Sequence, residues 1–158
     1  MSVVVQQISD LLDEELRQTH QLRLVLEKEQ DAVKTKDIDA MNITLTKKLE
    51  LLEKLDGLDI ERKSLLQQAG YDNSKSGFES LLKSTPSDDL VKKWQELEHE
   101  VAECRELHQV NTQILEIGQR QVQQVLGILL GEQSAESDTY NQSGSKESAL
   151  TTHTYAKA

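Results

Sequence analysis

Apolar positions recur along this chain in steps of four and three residues, the spacing that places side chains on one stripe of an α-helix. The longest run lies between Ser87 and Gly131, where no proline interrupts Leu90, Trp94, Leu97, Val101, Cys104, Leu115, Val122, Val125 and Leu129. This heptad pattern predicts one continuous helix about 65 Å long. Its two halves differ in character. Asp88 to Glu106 is crowded with charge, whereas from Leu107 to Gly131 only Glu116 and Arg120 are charged. In that second half the apolar set widens to Leu107, Val110, Ile114, Ile117, Leu126 and Ile128, about half of the helix circumference. So apolar a helix needs more than one neighbour. Other helices of the chain, a second copy, or a docked partner helix would each supply one.

Two further long helices precede it. The first is predicted over residues 4–33, with Val5, Ile8, Leu12, Leu22 and Leu26 in the seam and Leu11, Leu16 and Val25 flanking. Glu15 and Thr19 interrupt that seam, either as polar residues that fix register or as the lining of a wet groove. After a turn at 34–37, with Thr35 or Asp37 as N-cap, the second helix is predicted from Ile38 to Ala69. Its seam reads Ile38, Met41, Leu45, Leu52, Leu55, Leu66 and Ala69, with Lys48, Asp59 and Arg62 on the same stripe. Asp59 and Arg62, three apart, suit pairing with each other or across helices. Gly70 suits a left-handed C′ position that lets Tyr71 pack on Leu66. Ser76 to Glu79 reads as a capping box opening a short lid helix through Lys83. Thr85 and Pro86 read as N-cap and first residue of the long helix.

The fold expected is therefore all-α: an antiparallel, up-down-up bundle of three long helices with coiled-coil-like packing, and a short helix before the last long one. Residues 1–131 form the helical bundle domain. Residues 132–158, rich in Ser, Thr, Glu, Gly and Asn, form a flexible polar tail in which Tyr140 and Tyr155 stand out.

Composition narrows the function. The 158 residues carry 18 basic and 28 acidic side chains for a net charge of -10, which disfavours nucleic acid and anionic membrane surfaces. Aromatics make up 3%, too few for base stacking. The single cysteine suits a reducing compartment, the N-terminus lacks the basic and apolar regions of a secretory signal, and VLGILL is too short to span a bilayer. A cytoplasmic protein without membrane insertion is expected.

The candidate chemistry is thin. Cys104 and His108 share a helix face but offer two ligands where zinc takes three or four. Glu96 and His99 form one Glu-x-x-His where a di-metal bundle needs two. No phosphate loop or nucleophile elbow occurs. The chain reads as non-enzymatic, with no cofactor and no metal, and a coiled-coil adaptor or homodimeric scaffold fits the pattern.

Asp37, Ile38, Ala40, Met41, Thr44, Lys47 and Leu51 are followed by Leu58 and Arg62, then by Lys93-Trp94-Gln95, Leu107 to Asn111, and a tail Thr139-Tyr140 with Gly144. In this order of features the chain resembles the FlgN family of flagellar export chaperones. The resemblance implies a cytosolic chaperone of flagellar type III secretion that binds helical terminal segments of hook–filament junction proteins and delivers them to the export gate. The family's substrate-binding region corresponds to Leu107, Val110, Ile114, Leu115, Ile117, Val122, Val125, Leu126 and Leu129. The segment that engages the cytosolic domain of the gate corresponds to Tyr140 and Gly144. A weak homodimer is compatible with these roles.

Overall fold

The computed structural model describes residues 2–131 and contains four helices: α1 (Val3–Thr35), α2 (Ile38–Gln68), α3 (Lys75–Ser84) and α4 (Asp88–Leu130). It divides into two compact units, Met1–Ile114 and Leu115–Ala158. α4 belongs to the first unit as far as Ile114 and to the second from Leu115.

In the first unit the helix directions follow from the cross-helix bonds. Arg62 reaches Glu15 at 2.7 Å and Lys48 reaches Glu29 at 2.6 Å, so partners climb α1 as they descend α2. Lys93 bonds Ser9 and Asp13, while Asn111 bonds Leu26 and Glu29, so α4 runs parallel to α1. The three long helices are thus up, down and up, as expected from the short connections.

Local chemistry sets the helix ends. Ser2 and Asp37 cap α1 and α2, their side chains accepting the amides of Val5 and Ala40. α2 ends in a Schellman motif: Gly70 has φ 89°, its N–H bonds Gln67 O at 2.9 Å, and Tyr71 N–H bonds Leu66 O at 3.1 Å. Tyr71 packs on the cluster containing Leu66, and its hydroxyl also meets that of Ser84.

Two caps differ from the sequence reading. Ser74, not Ser76, caps α3, its Oγ accepting the Gly77 amide at 3.2 Å. Both serines offer a cap. The earlier one lets Gly77 lie against the Asp72 carbonyl, where a Cβ would stand at 1.9 Å, and lets Phe78 enter the core. Ser87, not Thr85, caps α4, accepting the Leu90 amide at 3.2 Å. Thr85 precedes proline and is held extended (φ −108°, ψ 117°), so neither it nor Pro86 joins the helix.

The core of the first unit is two apolar clusters. Val5, Ile8, Leu12, Leu66, Phe78, Leu81, Leu90 and Leu97 form one; Leu22, Val25, Leu26, Leu51 and Cys104 form the other. Glu15 and Thr19 are both buried. Arg62 pairs with Glu15 and Asp59, so the interruption of the α1 seam is a buried, bonded layer and not a wet groove. A second polar layer joins all three long helices, with Asn111 Nδ2 donating to Glu29 at 2.9 Å and Lys48 Nζ donating to the same carboxylate.

The α2 seam keeps Lys48, Leu55, Arg62 and Leu66 of the predicted stripe and is rotated away from its other edge. Thr44, Leu51, Arg62 and Leu66 are buried, with Lys48, Leu55 and Leu58 half-buried, whereas Ile38, Leu45 and Leu52 are exposed. α2 carries apolar residues on two faces about 120° apart, and the predicted stripe takes residues from both.

Candidate functional site

In the first unit α4 buries one residue per two turns: Leu90, Leu97, Cys104 and Asn111. Glu100, Leu107 and Ile114 accompany them as half-buried neighbours. The seam therefore passes through Asn111 and leaves Val101 39% exposed, a correction to the predicted line through Val101 and Leu115. Asn111 holds its place by donating to the Leu26 carbonyl at 2.9 Å as well as to Glu29. A search for apolar residues passes over it, although its seven-residue spacing from Cys104 marks the position.

The predicted substrate-binding residues fall in both units. In the first, Leu107 packs against the cluster of Leu22 and Cys104, Ile114 is half-buried, and Val110 is 41% exposed. In the second, Leu115, Ile117, Val122, Val125, Leu126 and Leu129 are all exposed, as are Ile128 and Leu130. At 100° per residue these eight side chains from Leu115 onward sweep about 220° of the helix, leaving the polar arc to Glu116, Arg120, Gln123 and Gln124. The described part of this unit ends at Gly131, whose φ is 74°. Tyr140 and Gly144, expected to dock on the export gate, lie outside the described residues.

The other polar candidates take structural places. Cys104 is buried and its Sγ faces the Thr19 carbonyl at 3.6 Å. Burial, with a smaller contribution from Glu100, pushes its thiol up to about 11, so it stays protonated and unreactive at neutral pH. His108, which shares that helix face in the sequence, is exposed. Glu96 and His99 line a shallow cleft with Asp13, Leu16, Arg17, His20 and Glu100. Among the described residues no three His, Cys, Asp or Glu side chains converge as a metal site, and no helix is long and apolar enough to cross a membrane. Lys93, half-buried, is desolvated, which would lower its pKa; bonds to Asp13 and Asp89 outweigh this and raise it.

The described residues are all-helical, and α4 from Leu115 to Leu130 carries a broad exposed apolar face. The family profile described as FlgN protein matches residues 1–148 of the 158. The chain belongs to the FlgN family, and is a flagellar export chaperone. No curated protein and no solved structure gives a significant match.

Proposed function

We propose that this protein acts in the cytosol as a chaperone of flagellar type III secretion. It receives a helical terminal segment of a hook–filament junction protein on α4 between Leu107 and Leu130. Residues 1–131 act as the carrier domain. The tail at 132–158 brings the complex to the export gate through Tyr140 and Gly144.

The observation that carries the binding step is the exposure of Ile117, Val122, Val125 and Leu129, at 50%, 56%, 55% and 74%. Burying one such side chain fully gains about 1.5–3 kcal/mol gross. Ordering the incoming segment and fixing it in place offset much of this. The net is a reversible grip, roughly micromolar or somewhat tighter, as a carrier that must release its cargo requires.

The test is the double substitution Ile117→Asp and Val125→Asp. Both side chains are exposed in the free protein, so the helical circular dichroism signal should hardly change. Binding of purified junction protein, followed by calorimetry, should fall by at least a hundredfold. Retention of near-normal affinity would place the binding surface elsewhere.

A further inference from the structure

α2 carries a second apolar face, outside the site just described. Ile38, Leu45, Leu49, Leu52 and Ile60 are 63%, 45%, 57%, 45% and 60% exposed. At 100° per residue all five fall within about 80° of arc, about 120° from the seam through Thr44, Leu51, Leu55, Leu58 and Arg62. Single exposed leucines are ordinary; five on one face along about 33 Å of helix form a patch that marks an interaction surface.

The spacing within the patch points to its occupant. Leu49 sits at the centre, with Ile38 and Ile60 each eleven residues away and Leu45 and Leu52 four and three residues away. A two-fold contact requires a surface complementary to itself. An antiparallel pairing of two such helices about Leu49 lays Ile38 over Ile60 and Leu45 beside Leu52. Asp56, which shares the face, then lies across from Asn42, so it meets no like charge.

We infer that this face of α2 is a self-association surface, on which two copies of the chain pair α2 against α2 about Leu49. The apolar area involved, summed over both copies, is on the order of 1,000 Å², near the floor for specific interfaces. The dimer is therefore weak and forms with rising concentration.

Sedimentation velocity on the full chain, from about one to several hundred micromolar, tests this. The weight-average mass should climb from monomer toward dimer. Leu49→Glu, which sets two carboxylates against each other on the axis, should weaken the dimer at least tenfold with no change in circular dichroism or thermal midpoint. A short bis-maleimide should link Leu49→Cys to itself and leave Ile43→Cys, exposed on another face, unlinked. A monomer at the highest concentration overturns the inference. So does a dimer that survives Leu49→Glu, including one lost instead in the Ile117→Asp, Val125→Asp protein. If Leu49→Glu reduces junction-protein binding and leaves the mass curve unchanged, the patch belongs to the cargo and the inference fails.

Discussion

Arg62 donates to Glu15 and to Asp59 at 2.7 Å each, while its guanidinium lies 5.4 Å from the Phe78 ring centroid and 5.1 Å from that of Trp94. Its partner Glu15 is buried, and burial raises the carboxyl pKa even though Arg62 opposes the shift. An acid whose pKa is higher folded than unfolded gives its full stabilising contribution below the ordinary carboxylate value. That contribution is lost as pH rises through the folded value. At neutral pH the ionised Glu15 is therefore tolerated because Arg62 is beside it. Arg62→Met should cost about 3–5 kcal/mol in urea denaturation at neutral pH, since it strands a buried carboxylate. The cost should shrink in mildly acidic buffer, where Glu15 takes up a proton. Adding Glu15→Leu should recover most of the loss. A penalty independent of pH and additive with Glu15→Leu would mean that packing against Phe78 and Trp94, not charge, is what Arg62 supplies.

Among the helices, α1 and α2 end differently. Both leave through a left-handed residue, Lys36 with φ 57° and Gly70 with φ 89°. Glycine adopts that conformation freely, whereas a residue with a Cβ is strained by about 1–2 kcal/mol. Part of that strain is recovered because lysine has less backbone freedom to lose on folding. Lys36→Gly should therefore stabilise the protein by about 0.5–1 kcal/mol, read as a rise in thermal midpoint, and Gly70→Ala should lower it by a similar amount. An unchanged midpoint in Lys36→Gly would show that the lysine side chain contributes a compensating contact. The Gly70 end of α2 and its Asp37 cap were legible in the sequence, because both act through local bonds that the neighbouring residues specify; the left-handed Lys36 was not, nor were the caps Ser74 and Ser87, which compete with Ser76 and Thr85. The α1 seam was legible too, since its apolar residues lie on one face. The α2 seam was legible in part: Lys48, Leu55, Arg62 and Leu66 lie on the predicted stripe, but with leucines and isoleucines on two faces the periodicity also draws in Ile38, Leu45 and Leu52, which are exposed. Its rotation is settled by Lys48 and Arg62 meeting Glu29 and Glu15, pairs 19 and 47 residues apart that no local window contains.

At the scale of the whole chain, the division of labour proposed here assigns grip to α4 and delivery to the tail. Tyr140→Ala should leave the complex with junction protein intact and weaken its capture by the cytosolic domain of the export gate, measured by pull-down of the preformed complex. Loss of the junction-protein complex itself would count against that division. The apolar half of α4 was visible in the sequence because charge drops out after Glu106. Asn111 as the last buried residue of α4 was marked only by its seven-residue spacing from Cys104, since its fit there depends on a carbonyl of α1. The stack of Phe78 on Trp94, centroids 4.2 Å apart, has a practical consequence. Trp94 is the chain's sole tryptophan, and it sits where α3 meets α4 in the first unit. Its emission is thus a built-in gauge of that end of the molecule: it brightens or dims as Phe78 leaves its side, and a dye attached beyond Ile114 can be followed in a separate optical channel.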